Sequence, residues 1–249
     1  GWEGDSATTL ATVIENGTRN VLTSAESLRG HRVLFVSSTA AIDASKEPRI
    51  FDERSPFTLT DGSLRYAYAK HRAELKALAA FRQGTDVVIV NPAEVYGPND
   101  TALGTASNLV DFAKSTPVLV CRGGTSIVHV DDVAIGIVAA LFKGRAGERY
   151  ILGGENLTIR ELAALVLELV GRRAPIVTVP NAVLRVLARL AVRTRVPVPF
   201  NPHAALYATY YWFVNNAKAQ RELGLKFRDA RTTLASTIEW LRMTGHIPE

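Results

Sequence analysis

Two short runs of apolar, mostly β-branched residues frame the first half of the chain. His31-Arg32-Val33-Leu34-Phe35-Val36 empties into Ser37-Ser38-Thr39, and Asp86-Val87-Val88-Ile89-Val90 empties into Asn91-Pro92-Ala93-Glu94-Val95-Tyr96-Gly97-Pro98. Continuous apolar runs of this length, bounded by turn residues, read as parallel strands buried on both faces. A polar loop over 43–62 and a helical segment around Tyr66 lie between them, so the unit is strand, helix, strand. The remaining pattern is mainly helical. A helix entered at Asp131 ends in the Gly-Arg-Ala-Gly turn of 144–147, a strand follows near Tyr150, and helices are expected over 158–171, 181–194, 216–223 and 228–244. Thr158 and Glu161 make a capping box at the first of these four. Pro117-Val118-Leu119-Val120 and Tyr211-Trp212-Phe213-Val214 are further strand candidates.

Tyr66 and Lys70 carry the most chemistry. They stand four apart on one helix, so phenol and ammonium share a face. A free tyrosine titrates near about 10, and a neighbouring cation favours the phenolate. The pair is thereby a tunable proton donor and acceptor. Alone, such a spacing is common on amphipathic helices. Here both strands discharge hydroxyl or proline turns toward it, and ligands of open parallel sheets bind beyond the carboxyl ends of the strands.

Four segments together resemble the extended short-chain dehydrogenase/reductase family, the NAD-dependent epimerase/dehydratase group. They are Val36-Ser37-Ser38-Thr39, Tyr66-x-x-x-Lys70, Asn91-Pro92-x-x-Val95-Tyr96-Gly97-Pro98 and Ile127-Val128-His129-Val130-Asp131-Asp132-Val133-Ala134. The likeness continues through Gly147–Gly154 and Asn216–Gly224, and with Tyr211–Val214 it points to the dihydroflavonol reductase-like branch. Residues 6–28 are similar to the family's fourth long helix.

The resemblance implies an α/β fold, a Rossmann-like doubly wound parallel sheet with a smaller C-terminal α/β substrate region. Residues 1–146 would be the C-terminal part of the dinucleotide-binding domain, with the catalytic groups, and 147–249 mainly the substrate region. No Gly-x-x-Gly-x-x-Gly turn occurs in the sequence, so the first βαβ units of the fold are expected to be missing from it. The implied cofactor is NAD or NADP, with Ser37, Tyr66, Lys70, Pro92 and Val95 on the nicotinamide side. Tyr66 is the implied acid/base, Lys70 lowers its pKa, and Thr39 holds the substrate oxygen, with Ser38 a rival for that role. The implied activity is hydride transfer at a hydroxyl or ketone of a sugar, sterol or flavonoid-like molecule, by reduction or epimerisation. Ala40 and Ala41 stand where the family's dehydratases carry acids, which disfavours dehydration. The competing reading is a non-catalytic binding protein, or an inactive fragment that keeps the fold without the glycine loop; activity is expected of the complete parent protein more than of this chain alone.

Composition narrows the partners. The chain has 249 residues, 47% hydrophobic, and no apolar run long enough to span a bilayer. Its single cysteine, Cys121, permits no internal disulfide, and cytoplasm is the expected location. Five scattered histidines suggest no metal. The net charge of +5 resides in the second half, where 140–249 hold 16 Lys and Arg against 8 Asp and Glu. That asymmetry suits an anionic substrate or merely solvated arginines, and no aromatic-interleaved basic patch suggests nucleic acid. A small-molecule substrate is expected, and a homodimer remains open. Arg185, Arg189 and Arg193 form a stripe opposite Val183, Leu184, Val186, Leu187 and Leu190. The expectation is a helix docked by its apolar side with a solvated arginine edge, and not a membrane-surface helix.

Overall fold

The computed structural model of the chain describes residues 7–27, 30–194 and 201–248. In chain order the elements are helix α1 (Ala7–Ser27), strand β1 (Arg32–Val36), a 3-10 turn (Thr39–Ala41), β2 (Ile50–Phe51), α2 (Arg65–Arg82), β3 (Asp86–Pro92), β4 (Glu94–Tyr96) and α3 (Ser107–Lys114). There follow β5 (Val118–Val120), β6 (Gly124–His129), α4 (Val130–Lys143), β7 (Arg149–Leu152), β8 (Glu155–Thr158), α5 (Ile159–Leu169) and β9 (Ile176–Thr178). The last are α6 (Asn181–Thr194), α7 (Pro202–Ala208), β10 (Tyr211–Val214), α8 (Ala217–Leu223) and α9 (Ala230–Met243).

The two apolar runs pair as β1 and β3, in parallel, with Val33 opposite Val87 and Phe35 opposite Ile89; β7 adds on the far side of β3. Alternation along β3 sends Val87 and Ile89 toward α1 and α2, where Leu22, Ala77 and Ala80 meet them. Val88 and Val90 point the other way, into Val133 and Ala140 of α4 and Ala219 and Leu223 of α8. Both faces are therefore covered, which is why the strand reads as a continuous apolar run. This is the expected α/β architecture of parallel sheet between helices.

A second sheet runs β2-β10-β6-β4, all parallel, with β8 antiparallel against β6. Helices α3, α5 and α9 close it through Leu109, Leu162, Val166, Leu234, Ile238 and Leu241, packed on Tyr96 and Ile127. β5 and β9 pair separately.

Several boundaries move for local reasons. β2 lies inside the segment read as a polar loop; two residues carry no periodicity, and β10 makes the strand by pairing with it. β8, Glu-Asn-Leu-Thr, likewise shows no alternating pattern. α9 starts at Ala230 because the Asp229 carboxylate accepts from Thr232 N–H at 2.7 Å. The capping box of α5 forms in both directions, at 3.1 and 2.8 Å. Of the helix expected over 6–28, residues 7–27 are helical, and Ser6 and Leu28 lie outside the described residues.

The arginine stripe of α6 follows expectation only in part: Arg189 and Arg193 are exposed, whereas Arg185 is half-buried and the apolar side is not docked. Arg185 Nε donates to Thr209 Oγ1 at 2.9 Å with its guanidinium over the Tyr210 ring, and Arg189 Nη2 pairs with Asp61 Oδ2 at 3.0 Å. Val183, Val186, Leu187 and Leu190 are instead about half exposed, at 48%, 57%, 46% and 52%. The helix seats itself through the small residues Ala188 and Ala191, while Arg185 and Arg189 reach acceptors on the neighbouring surface. Among the described residues, no helix is long and apolar enough to cross a membrane.

Candidate active site

Helix α2 begins without a side-chain cap of its own, since Leu64 occupies the cap position. The cap comes from α7: the Tyr207 hydroxyl accepts from the Ala67 N–H at 3.2 Å, and Asp61 accepts from the Ser63 N–H just ahead of the helix. Asp61 also receives the Tyr210 hydroxyl at 3.1 Å and Arg189, so the C-terminal helices grip the start of α2. Despite its burial, these hydrogen bonds and the arginine hold the Asp61 carboxyl below its ordinary range. Further along, His71 Nδ1 meets the Ala41 carbonyl at 3.1 Å and its ring stacks on Phe57.

Tyr66 and Lys70 point to the mouth of β1. The Tyr66 phenol is hydrogen-bonded to the Ser38 hydroxyl, and burial, partly offset by that bond, raises its pKa above the ordinary value. The Lys70 ammonium lies 5.8 Å from the Tyr66 ring centroid and donates to the Val36 and Ser37 carbonyls, each at 3.4 Å. Its own pKa is lowered by burial, against an opposing pull from Glu74. The expected lowering of Tyr66 by Lys70 does not set the direction here: burial raises the phenol, with only the Ser38 bond opposing it. At neutral pH Tyr66 carries its proton.

The three hydroxyls after β1 take different directions. Ser37 Oγ donates to Glu74 Oε2 at 2.7 Å and is turned into the interior. Ser38 Oγ accepts from Ala40 N–H at 3.2 Å, capping the 3-10 turn, while facing Tyr66. Thr39 is 7% exposed at the head of that turn, and its hydroxyl has no hydrogen-bond partner among the described residues. Ala40 and Ala41 are buried behind it.

Glu74 is the group that reading the sequence missed. It is 2% exposed and gathers Ser37, Asn91 Nδ2 at 2.8 Å and Arg149 Nη1 at 3.0 Å. Its signal was available: Tyr66, Lys70 and Glu74 recur every fourth residue, one face of one helix. Asn91 also donates to the Ser38 carbonyl at 2.9 Å, tying the ends of β1 and β3.

Pro92 ends β3 and Val95 lies in β4, beyond the carboxyl edge of the first sheet. Gly97 closes this turn at φ +156°, where an added Cβ would stand 2.3 Å from Val130 Cγ1. Glu94 accepts from Tyr96 Oη at 2.9 Å and Asn108 Nδ2 at 3.2 Å, and burial raises its pKa. At the entry to α4 the helix start is capped by the His129 side chain, and Asp132 pairs with Arg228. Cys121 follows β5, buried, with its thiol pushed up to about 11 by burial.

The nicotinamide end of a dinucleotide fits these residues. Among the described residues Lys70 is held by two long bonds and can turn to ribose hydroxyls, while Pro92 is buried and Val95 half-buried at the strand end beside it. No Gly-x-x-Gly-x-x-Gly run occurs in the 249 residues.

Comparison with known proteins gives the family. Residues 1–153 match the model of the NAD dependent epimerase/dehydratase family. A Synechocystis sp. protein named for dihydroflavonol 4-reductase is 30% identical, aligned over 93% of this chain and 70% of its own length. The sterol demethylase protein B of Methylococcus capsulatus is 29% identical over 93% of this chain and 72% of its own. A crystal structure of a nucleoside-diphosphate-sugar epimerase from Pseudomonas aeruginosa superposes with a TM-score of 0.79 at 26% identity, covering 96% of this chain and 75% of that one. With the strand-helix-strand unit and Tyr66–Lys70 at its mouth, these matches place the chain in the NAD dependent epimerase/dehydratase family, in the dihydroflavonol reductase-like branch of the extended short-chain dehydrogenases/reductases.

Proposed function

We propose that the chain carries the catalytic groups of an enzyme that interconverts a secondary alcohol and a ketone on a sugar, sterol or flavonoid-like small molecule, with Tyr66 as acid/base. The observation that carries this reading is the Tyr66 phenol, protonated and paired with Ser38, beside a cationic Lys70 at the carboxyl end of a parallel sheet. When bound, NAD or NADP supplies or accepts the hydride. Lys70 binds the nicotinamide ribose and stabilises the phenolate formed when Tyr66 gives up its proton to the carbonyl oxygen. Thr39 holds that oxygen, since its hydroxyl is uncommitted while Ser37 and Ser38 are occupied. Ser38 keeps the Tyr66 hydroxyl oriented until substrate arrives. Pro92 and Val95 flank the nicotinamide, and Ser37 acts through its carbonyl on Lys70. The apolar Ala40 and Ala41 offer no acid for eliminating water, so the reaction stops at alcohol and ketone, as net reduction or as epimerisation through a transient ketone. The names of the relatives, a flavonol reductase, a sterol demethylase component and a sugar epimerase, span the substrate classes to be tried.

The test is a screen of such ketones and alcohols with NAD(H) and NADP(H), followed by Tyr66→Phe on the active pair. Loss of the proton donor lowers kcat by roughly 10²- to 10⁴-fold. A kcat within about twofold of the parent would remove Tyr66 from the chemistry.

A further inference from the structure

Glu74 is buried, charged and not required by the reaction just described. Burying an ion pair is seldom better than packing apolar side chains of equal size, so stability alone gives little reason for it. Its two oxygens are nonetheless satisfied from three strands: Ser37 at the end of β1 and Asn91 on β3 reach Oε2, and Arg149 on β7 reaches Oε1. Arg149 is itself tied to the Glu53 carbonyl oxygen, and the Glu53 carboxylate accepts from Ile151 N–H at 3.0 Å. The cluster locks α2 onto the strand ends where Tyr66 and Lys70 work.

Glu74 also lies one turn beyond Lys70 on the same face. Among the described residues, the charged or titratable groups around Lys70 are few. Its own helix contributes Tyr66 and Glu74, Arg149 on β7 reaches it through Glu74, and β1 and β3 contribute carbonyls, hydroxyls and the neutral Asn91. With Arg149 turned onto Glu74, the carboxylate is the negative charge that acts on the ammonium.

We propose that Glu74 is a positioning residue for the Tyr66–Lys70 pair: through Ser37, Asn91 and Arg149 it fixes the helix to the strand ends, and its charge holds Lys70 as a cation. The catalytic part of this inference rests on the proposed function; the electrostatic part does not.

The experiment measures the charge of Lys70 without turnover. Trace acetylation by acetic anhydride, quantified by mass spectrometry across pH, gives the reactivity of Lys70 against exposed Lys46 as internal reference. Glu74→Gln should raise Lys70 acetylation at pH about 8 by roughly threefold or more, because loss of the carboxylate favours the neutral amine. Arg149→Gln should do the opposite, freeing the Glu74 charge to act on Lys70, so either variant carries the test if the other fails to fold. Glu74→Asp keeps the charge and should leave acetylation near the parent value while lowering kcat more than it raises KM. Unchanged Lys70 reactivity in Glu74→Gln, or the same direction of change in both variants, overturns the proposal. A shifted reactivity combined with an indifferent Tyr66→Phe supports the Glu74–Lys70 link and overturns only the catalytic reading.

Discussion

Removing the Tyr207 hydroxyl should loosen the catalytic helix from a distance of 140 residues along the chain. In Tyr207→Phe the ring still stacks on Trp212, so packing is kept and one acceptor is lost. That acceptor serves the third helical N–H of α2, on Ala67, a residue with no exposed surface. With Leu64 at the cap position, nothing local replaces it. A lost helix cap costs about 0.5–2 kcal/mol, and a buried N–H left unpaired about 1–3 kcal/mol, so a destabilisation of about 1–2 kcal/mol follows. For a chain of this size that corresponds to a fall in Tm of roughly 2–8 °C. If the first turn of α2 opens separately, amide exchange at Tyr66, Ala67 and Tyr68 should accelerate by roughly 5- to 30-fold. Differential scanning calorimetry and hydrogen exchange by mass spectrometry read the two effects. A Tm within about 1 °C of the parent, with unchanged exchange in peptides spanning residues 64–70, would show that α2 needs no cap from α7.

Three other outcomes can be checked. Thr39→Ala should lower kcat by roughly 10- to 100-fold, whereas Ser38→Ala should act mainly on stability through the lost 3-10 cap; steady-state kinetics giving the reverse ranking would assign the substrate oxygen to Ser38. Arg185→Gln should cost about 1–2 kcal/mol in denaturant unfolding while the exposed Leu187→Gln stays within about 0.5 kcal/mol, and equal costs would contradict the anchoring of Arg185 on Thr209 and Tyr210. Because the folded state depresses the Asp61 carboxyl, its contribution is fully present above the unfolded value of about 4 and is lost as pH falls through the folded value. The Tm gap between parent and Asp61→Asn should therefore close in acid, and a gap independent of pH would exclude that linkage.

What the sequence revealed and what it hid divide along a physical line. β1, β3 and the helix between them were legible because strands covered on both faces must be apolar throughout, and Tyr66 with Lys70 announced itself by helical spacing. The capping box of α5 was equally local. Hidden features were those made by partners far along the chain. β2 is a strand only because β10 lies beside it, and Tyr207 caps α2 across 140 residues. Arg185 and Arg189 find their partners in Thr209, Tyr210 and Asp61, which stand far from them along the chain. Glu74 was overlooked because a lone glutamate on a helix is ordinarily solvated, and only three strand ends converging on it make it a buried anchor.

The place of β10 has a consequence for biosynthesis. This strand, residues 211–214, is wedged between β2 and β6, elements made some 160 and 85 residues earlier. A ribosome delivers chain from the N-terminus at roughly 5–20 residues per second, so β6 waits several seconds before its neighbour emerges. During that interval Gly124 and Thr125 of β6 and Ile50 and Phe51 of β2 lack the strand that joins them, and α2 lacks its Tyr207 clasp. The nascent chain can complete its catalytic cleft only once β10 has left the tunnel, and until then those unpaired strand segments are the surface a holding chaperone would have to shield.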